Sequence, residues 1–491
     1  MNREQAMNGR IRPGAGRDLT TGPIAPTLLA FALPTLGASM LQSLNGSINA
    51  IWVGRFLGEE ALAATSNANM VIFLLTAFVF GFAMAASILV AQSFGRGDVD
   101  GARRVIGSAT GAFAAASVAG SAVAWLAAPA LLRLLGTPAE AAPLALDYLR
   151  VVFLAMPPAL LMVSWMMALR GGGDPMTPLW FMILAVLLDG GLNPIFILGL
   201  GPAPRLGIAG AALATVIANF VGLAALLAWI YARDLPLRLR GAELRYLVPD
   251  RALLGIIVRK GLPMGLQMIV VSASALALIG LVNREGVETT AAFGVAMQLW
   301  TYLQMPALAL GAAVSAMAAQ NIGAGRWDRV GAITRSAIMF ALLITAGLVV
   351  LLAVADRPAL ALFLGGDSPA LPIARHIQLL ATWSFLMMGV TLVLFGTVRA
   401  NGAVVGPLVI LFVGLVPVRL GFAVGAYPWL GADALWLSFP VSSFVNLGLA
   451  IAFYRHGGWR KGRMGPPPGP SEGAGEAPAA AEPGGRLGPS G

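Results

Sequence analysis

Residues 91–100, AQSFGRGDVD, return as residues 319–328, AQNIGAGRWD, so the pattern Ala-Gln-x-x-Gly-x-Gly-x-x-Asp occurs twice, 228 positions apart. Two further pairs lie 229 positions apart: residues 31–34 (FALP) with 260–263 (KGLP), and residues 169–179 with 398–408. Three matches at nearly one spacing indicate that the chain contains an internal duplication.

Each copy consists of long apolar stretches. Of the 491 residues, 58% are hydrophobic and 11% charged, with a mean hydropathy of +0.81, whereas soluble domains carry about 25% charged residues. Windows of about 20 apolar residues, enough to cross a bilayer as a helix, are predicted near residues 26–48, 64–88, 105–129, 144–168, 177–200, 208–231, 255–281, 289–317, 334–355, 376–397, 405–427 and 433–454. The apolarity is continuous and does not alternate, which predicts helices and not a barrel. The expected fold is an all-α integral membrane protein with twelve transmembrane helices.

The duplication divides these spans into two six-helix lobes. The predicted organisation is a cytoplasmic basic segment at 1–24, an N-lobe at 25–231, a cytoplasmic basic connector at 232–254, a C-lobe at 255–456 and a disordered cytoplasmic tail at 457–491. Because each lobe crosses the membrane an even number of times, the repeat is parallel, with a pseudo-two-fold axis along the membrane normal. Such a duplication encloses a central cleft and is typical of transporters.

The basic residues predict the orientation. Of 32 Lys and Arg residues, 24 fall on one side of the membrane if both termini are cytoplasmic, in agreement with the positive-inside rule. This bias also accounts for most of the net charge of +10. The basic run 233–260 is therefore interpreted as a solvated connector and not as a nucleic-acid site.

The composition also bears on enzymatic chemistry. The chain has no cysteine and only two histidines, His376 and His456. These numbers disfavour a metal centre or a hydrolase triad, both of which need convergent ligands or an imidazole base. We expect no enzyme activity and no cofactor or metal. No nucleotide-binding motif is present either, which leaves an ion gradient as the energy source.

Several short motifs occur in a fixed order along residues 19–460. They are Pro34 with Ile51-Trp-Val-Gly-Arg55; Ala91-Gln92 with Gly95 and Gly97; Leu169-Arg170-Gly-Gly-Gly173; Asn193-Pro194-Ile-Phe-Ile; Gly207-Ile-Ala-Gly-Ala-Ala-Leu-Ala-Thr215; and Gln320-Asn321-Ile-Gly323-Ala-Gly325. In this order and duplication the sequence resembles multidrug and toxic compound extrusion (MATE) transporters. The resemblance implies a two-lobed antiporter that exports cationic or amphipathic organic compounds, driven by inward proton or sodium movement.

Ion coupling requires a group inside the membrane that changes charge or ligates a cation, and Asp189 is the acid that lies about half way along a predicted span. Asn193 follows four residues later and therefore lies on the same helix face, while Pro194 weakens the backbone hydrogen bonding nearby. We predict cation or proton coupling at Asp189, Asn193 and Asn49. The alternative is a carboxyl group that only hydrogen-bonds to a neighbouring helix.

The sequence departs from the pattern of the family at this site. The family resemblance implies an Asp in the first span, where this chain has Asn49, and Asn followed by Asp in the fifth span, where this chain has Asp189 followed by Asn193. A single carboxylate is a poor cage for sodium, so proton coupling is preferred over sodium coupling.

Polar and soft side chains outline a tentative substrate cleft. Its predicted members are Gln42 and Asn45 in the first span, Gln267 in the seventh, and Met297, Gln298 and Gln304 in the eighth, near Met264, Trp300, Tyr302 and Met305. Surfaces of this kind can repack around varied ligands, although packing between helices is the alternative. Pro34, Pro194 and Pro263 are predicted hinge or kink positions.

Arg419 is the second unusual charge. An offset of 229 maps Asp189 onto Val418, so Arg419 lies one residue from the corresponding position of the C-lobe. The side chain either extends to the outer interface, pairs with Asp189, or meets an anionic substrate.

The sequence thus predicts a secondary-active exporter whose partners are small organic cations or amphipathic drugs and the lipid bilayer, without nucleic acid. We expect a monomer in a bacterial inner membrane, with both termini cytoplasmic. One alternative is a lipid-linked saccharide flippase of a related fold, which would need several cationic residues in the cleft. Another is a membrane-embedded enzyme or receptor.

Overall fold

The computed structural model describes residues 18–134, 142–200, 204–462 and 464. Within these ranges, twelve helices are long and apolar enough to cross a membrane. They are α1 Ile24–Leu57, α2 Glu59–Gly95, α3 Val99–Leu134, α4 Ala142–Gly171, α5 Met176–Leu198, α6 Ile208–Ala232, α7 Arg251–Val282, α8 Val287–Gly323, α9 Trp327–Val354, α10 Ala370–Ala400, α11 Val405–Gly425 and α12 Asp433–His456. The predicted all-helical fold with twelve spans is confirmed.

Two helices contain irregularities that the apolar pattern does not reveal. A 3₁₀ turn at Thr382–Ser384 interrupts α10. A π-helical stretch at Gly414–Leu420 lies within α11 and contains Pro417. Proline has no backbone N–H to donate, so the helix widens at this point. A short helix at Asp356–Leu364, which was not predicted, precedes α10.

The two lobes, α1–α6 and α7–α12, meet near the ends that carry the chain termini. Helix α2 packs along α7 and α8, and α1 packs along α8. The buried residues of α1 fall almost entirely in its first half, between Thr27 and Ala38. In that stretch, Leu28 and Phe31 share an apolar core with Leu310 and Val314 of α8. Farther along α1, Met40, Leu44 and Ile51 are more than half exposed. The lobes therefore join at the terminal side and separate toward the opposite side.

The duplicated motif forms this junction, which we call the seam: Gln92 and Gly95 of α2, with Gln320 and Gly323 of α8. The Gln92 side chain donates to the Ala400 carbonyl at 2.7 Å, and the Gln320 side chain donates to the Gly171 carbonyl at 2.9 Å. A Cβ atom on Gly95 would collide with the backbone carbonyl of Gln320, and one on Gly323 would collide with that of Gln92. The glycines thus let the two helices cross with their backbones in contact.

The N-terminal segment also joins the seam. The Leu19 amide donates to the Gln320 side chain at 3.0 Å, and the Leu19 carbonyl accepts from Asn321 at 3.0 Å. Arg326 donates to the Thr20 carbonyl, and Arg329 donates to that of Gly22. Residues 18–22, predicted as part of a basic cytoplasmic segment, are therefore held against the C-lobe. Residues 1–17 lie outside the described residues.

The connector was predicted to be solvated, but part of it is buried in the structure. Leu235, Leu237 and Leu239 are at most 3% exposed, and the first two lie beside Phe94 and Leu169 of the N-lobe. Arg103 of α3 forms an ion pair with Glu243 at 2.8 Å, and Tyr246 donates to Asp100 of the same helix. Every second residue of the run 235–239 is leucine, an apolar alternation that is easily overlooked beside the arginines.

The start of the predicted disordered tail also differs. Trp459 is 2% exposed, and its ring stacks on Tyr454 with centroids 5.4 Å apart. Its carbonyl accepts a hydrogen bond from the Asn401 side chain at 2.9 Å. The C-lobe therefore extends past the predicted boundary at residue 456, to Lys461 at least. Residues 465–491 lie outside the described residues.

Candidate functional site

Asp189 lies near the middle of α5 with its side chain only 3% exposed. The Thr215 hydroxyl of α6 donates to Asp189 Oδ1 at 2.9 Å. Asn193, which is fully buried, donates from its amide to the Asp189 carbonyl at 2.8 Å. Tyr148 of α4 lies near the Asp189 carboxyl group. The carboxyl group thus lies between α4, α5 and α6, inside the N-lobe.

Helix α1 closes the site from another side. A methyl group of Ile48 lies 3.6 Å from where a Cβ of Gly190 would be, so α1 crosses α5 beside Asp189. Asn45 and Asn49, three residues before and one after Ile48, are half-buried, and the Asn45 amide lies beside the Asp189 carboxyl group. The predicted coupling residues of α1 and α5 therefore come from two helices that are in contact.

The site contains more hydrogen-bond acceptors than donors. Four of its buried oxygen atoms have no donor: Asn45 Oδ1, Asn49 Oδ1, Asp189 Oδ2 and Asn193 Oδ1. No described Lys, Arg or His forms an ion pair with Asp189. Because an isolated buried carboxylate is costly, a carboxyl group in this setting needs its own proton or a bound cation. The arrangement can therefore take up and release one positive charge.

Sequence reasoning did not assign Thr215 or Tyr148 to this site. Thr215 ends the glycine- and alanine-rich motif at the start of α6, and Tyr148 is one of six tyrosines. Neither carries a charge that would mark it as functional. Their proximity to Asp189 arises from the packing of α4 and α6 on α5, and no local pattern encodes that packing.

The predicted cleft residues separate into two groups. Gln42 is exposed on the open stretch of α1, and the Gln298 side chain donates to the Tyr302 hydroxyl at 3.3 Å on the first half of α8. Met297 and Gln304 of the same helix are half-buried. In contrast, Gln267 is 5% exposed and donates to the Val404 carbonyl, so it holds α7 to the turn before α11.

The three predicted hinge prolines occupy helix interiors. Pro34 lies in the buried first half of α1, Pro194 follows Asn193 in α5, and Pro263 lies in α7 two residues after Gly261.

Gly261 and Gly265 of α7 face Gly81 and Phe82 of α2 at backbone contact distance. Pro263 therefore lies beside the contact between the lobes.

Arg419 contacts α12 and, among the described residues, forms no ion pair with Asp189. Its guanidinium carbon lies 4.4 Å from the centre of the Phe439 ring, and its Nε donates to the Ser442 hydroxyl at 3.1 Å. Phe439 is 9% exposed and Ser442 fully buried, both on α12. The π-helical stretch of α11 turns the Arg419 side chain inward, toward the interior of the C-lobe.

Beyond Phe439, a group of aromatic rings continues into the core of the C-lobe. The Phe439 ring is 4.9 Å from the Trp300 ring of α8, which in turn packs on Phe385 at 5.6 Å. The Trp300 indole N–H donates to Gln378 at 3.0 Å, and Gln378 Nε2 is a buried donor without an acceptor. The interior of the C-lobe is thus aromatic and carries unused hydrogen-bond donors.

Comparison with known proteins identifies the family. The MatE family matches the chain twice, over residues 34–195 and 263–424. Two relatives from Bacillus subtilis are "Probable multidrug resistance protein YoeA", 34% identical over 88% of this chain and 93% of the relative, and "Probable multidrug resistance protein YpnP", 29% identical over 90% and 97%.

The fold is similar to a solved structure described as "Outward-facing conformation of a multidrug resistance MATE family transporter of the MOP superfamily". The TM-score is 0.82, with 22% identity over 90% of this chain and 97% of the other. The two family matches fall on the two lobes and include both the seam and Asp189. The chain therefore belongs to the MatE family and is a membrane-spanning multidrug efflux transporter.

Proposed function

We propose that this protein is a secondary-active antiporter that exports cationic or amphipathic organic compounds by alternating access, driven by inward proton movement. Asp189 is the group that carries the proton. The observation behind this proposal is a buried carboxyl group with no cationic partner among the described residues, which accepts a hydrogen bond from Thr215 and lies beside two half-buried asparagines.

One carboxyl group can enforce exchange because a proton and a cationic compound compete for it. When Asp189 is charged, an organic cation can neutralise it; when a proton arrives from the acidic side, the cation is released. The Thr215 hydroxyl, which donates to Oδ1, favours the charged form. Alternation between the two occupants gives antiport without a second acidic residue.

Access alternates when the lobes rock about the seam. In this conformation the seam is closed by the reciprocal contacts of Gln92 and Gln320, while the far half of α1 is open. Access from the terminal side requires these contacts to separate. The apolar contact of Leu28 and Phe31 with Leu310 and Val314 must separate at the same time.

The protein acts as a monomer in a bacterial inner membrane, with both termini in the cytoplasm. This orientation is supported by the 24 of 32 basic residues that fall on the terminal side of the spans. The conformation described above then faces outward, and the protons enter from the outside.

Sodium is the second candidate ion. It is favoured by the four donor-free oxygens of Asn45, Asn49, Asp189 and Asn193, because hard cations select oxygen ligands. Against it stands the single negative charge of the site. The two ions are separated by experiment.

Everted membrane vesicles test the proposal. Uptake of the fluorescent cation rhodamine 123 is measured with an imposed acid-inside pH gradient, or with a sodium gradient of equal size, for the parent and for Asp189→Asn. We expect the pH gradient alone to drive uptake in the parent and Asp189→Asn to abolish it. Asp367→Asn, which alters an exposed acid outside the spans, is the matched control and retains uptake.

Two results would contradict the proton mechanism. If uptake requires sodium at constant pH, the oxygen cluster is a sodium site. If Asp189→Asn inserts normally and still transports under the pH gradient, Asp189 does not carry the coupling proton.

A further inference from the structure

The second half of the connector lies against the flank of α3. It begins with a 3₁₀ helix at Gly241–Leu247. A Cβ atom on Gly111 of α3 would collide with the backbone carbonyl of Leu247, so the two backbones are in contact. Three residues later, the Asp250 amide donates to the Ser108 hydroxyl at 2.6 Å. The connector is therefore fastened to α3 at two levels before it enters α7.

This contact lies beside the apolar part of α3. Between Arg104 and Arg133 the helix has no charged residue, and α3 is one of the most exposed of the twelve spans. Gly111 follows Arg104 by seven positions, which is about 10 Å along a helix. Segments that lie in a membrane surface reach about 5–10 Å into the boundary between headgroups and acyl chains. Leu247 therefore lies at the depth of an interfacial segment.

The outer side of this segment is apolar. Leu244 is 50% exposed, Leu247 38% and Val248 74%. An apolar side chain gains free energy when it leaves water, and at the depth of Gly111 the medium around α3 is lipid. The three side chains therefore form an edge that is stabilised when it enters the bilayer surface.

Two arginines beside this edge have no acidic partner. Arg245 and Arg251 are exposed and, among the described residues, form no ion pair. The acids of the connector have other partners: Asp234 pairs with Arg238 and Arg240, Glu243 pairs with Arg103, and Asp250 accepts from the amides of Ala252 and Leu253. The surface next to the apolar edge thus carries uncompensated positive charge, which attracts an anionic leaflet.

We propose that residues 244–251 are a lipid anchor. The three exposed apolar side chains enter the surface of the bilayer, and Arg245 and Arg251 bind the headgroup phosphates of anionic phospholipids. Arginine suits this role because its planar group donates two parallel hydrogen bonds to a phosphate. Since the segment is fastened to α3 and leads directly into α7, the anchor holds one helix of each lobe at a fixed depth.

Quenching of a fluorophore in lipid nanodiscs tests the depth of the anchor. The chain has no cysteine, so the full-length protein can carry one NBD label at Val248→Cys. The discs contain phosphatidylcholine, part of which bears a doxyl quencher on the acyl chain close to the headgroup. We expect strong quenching at this position. Ala242→Cys, an exposed position next to the Glu243–Arg103 ion pair, is the control and should be quenched weakly.

The same label measures the preference for a headgroup. The doxyl lipid is added either as phosphatidylglycerol or as phosphatidylcholine, at equal mole fraction in phosphatidylcholine discs. We expect phosphatidylglycerol to associate about 5-fold more strongly, the effect of one arginine near an anionic leaflet, or more if both arginines contribute. The double change Arg245→Gln and Arg251→Gln should lower this ratio to about 1.

A second double variant is the matched control. Arg284→Gln with Arg357→Gln removes two exposed arginines from the opposite side of the spans, after α7 and after α9. Its ratio should equal that of the protein labelled at Val248→Cys alone. This control distinguishes binding by the connector from a general effect of net charge.

Three results would overturn the proposal. The first is a label at Val248→Cys that aqueous iodide quenches and doxyl lipid does not, which would indicate a solvated edge that faces a soluble partner. The others are a headgroup ratio of 1 without the arginine changes, and a ratio that Arg245→Gln with Arg251→Gln leaves unchanged. Neither measurement uses an ion gradient or a transported compound, so failure of the export proposal does not affect them.

Discussion

Gln92 and Gln320 make the same hydrogen bond in opposite directions across the seam. Gln92 of the N-lobe donates to the last residue of α10, and Gln320 of the C-lobe donates to the last residue of α4. Gln320 has one contact more, because its side-chain oxygen also accepts from the Leu19 amide. The two copies of the motif thus have the same role, since each copy holds the other lobe.

Replacing either glutamine by alanine is expected to favour opening of the seam. Each change leaves a buried carbonyl unpaired, at a cost of about 1–3 kcal/mol to the closed state. Gln320→Ala has the larger effect because it also frees Leu19. The chain has no cysteine, so a single cysteine can be introduced as Ser93→Cys. Ser93 is buried next to Gln92, and the rate at which a maleimide labels this cysteine therefore measures how often the seam opens.

Gln42→Ala is the control for this labelling, because Gln42 is exposed on α1 and away from the seam. When combined with Ser93→Cys, Gln42→Ala should be labelled at the same rate as Ser93→Cys alone. Equal rates in all variants would mean that the glutamines do not hold the lobes together.

Gly95→Ala is expected to destabilise the closed seam about as much as either glutamine change. The added methyl group meets the backbone carbonyl of Gln320, which cannot rotate away as a side chain would. We expect a loss of about 1–3 kcal/mol in stability, measured as a lower thermal unfolding midpoint in detergent. Gly323→Ala, the reciprocal change, has the same effect.

Gly331→Ala provides the comparison. Gly331 is a helical glycine of α9 with nothing within 4 Å of an added Cβ. Alanine has the higher helix propensity by about 1 kcal/mol, so this variant is as stable as the parent or more so. An equal loss of stability in Gly331→Ala and Gly95→Ala would show that contact across the seam is irrelevant.

Asn49→Asp is expected to strengthen binding of sodium. The change places a second carboxylate among the unpaired oxygens of Asn45, Asp189 and Asn193, and a second negative charge favours a metal cation over a single proton. Sodium at constant pH and ionic strength should then raise the thermal unfolding midpoint. The control salt is potassium in place of sodium. The control variant is Asn219→Asp on α6. A variant that sodium does not stabilise would indicate that the oxygens do not converge on one ion.

The contacts of Asp18 in the N-terminal segment predict that the stability of the protein depends on pH. Burial raises the pKa of the Asp18 carboxyl group, but hydrogen bonds from Thr20 and Thr21 and the charge of Arg326 together hold it below its ordinary value. Because the folded pKa is below the unfolded value of about 3.9, Asp18 contributes stability above that pH and loses it as the pH falls through the folded pKa.

We therefore expect Asp18→Asn to be less stable than the parent at pH 6 and to approach it below about pH 4. Unfolding followed by tryptophan fluorescence measures the difference. Asp328→Asn, at the start of α9, is the control acid. A stability gap between parent and Asp18→Asn that is constant from pH 6 to pH 3 would contradict the assignment.

Trp459→Ala is expected to destabilise the C-lobe by about 3 kcal/mol. The change removes a buried ring that packs on Tyr454 and Trp327. Truncation after Met464 leaves those contacts intact and should retain both stability and export of rhodamine 123. If truncation alone lowered stability as much as Trp459→Ala, residues beyond 464 would contribute to the fold.

The spans and their duplication were predictable because bilayer thickness imposes one length and one apolarity on every helix. Asp189 was predictable because an acid inside a span is rare. The partners of Asp189 were not, since Thr215 and Tyr148 are uncharged and reach it through packing between helices. Asp189 and its partners remain a proposal as a coupling site.

Arg419 illustrates a different limit. Its position near the end of a predicted span suggests an interface residue, but the π-helical stretch around Pro417 changes the direction of the side chain. One residue of altered helical register rotates everything that follows by about 100°. Sequence reasoning left three positions open for this arginine, because a pattern that assumes a constant helical register cannot select among them.

The seam has the symmetry of an isologous interface, in which one surface patch meets a second copy of itself. A chain with a single six-helix lobe could form the same contacts as a homodimer, with each glutamine reaching the partner. Leu235 and Leu237 of the connector lie beside Phe94 and Leu169 of the N-lobe, so the connector that joins the two lobes is itself partly packed on the first of them. The fused chain is thus a dimer in one polypeptide whose two subunits, once joined, were free to diverge, one toward an acid at Asp189 and the other toward a base at Arg419.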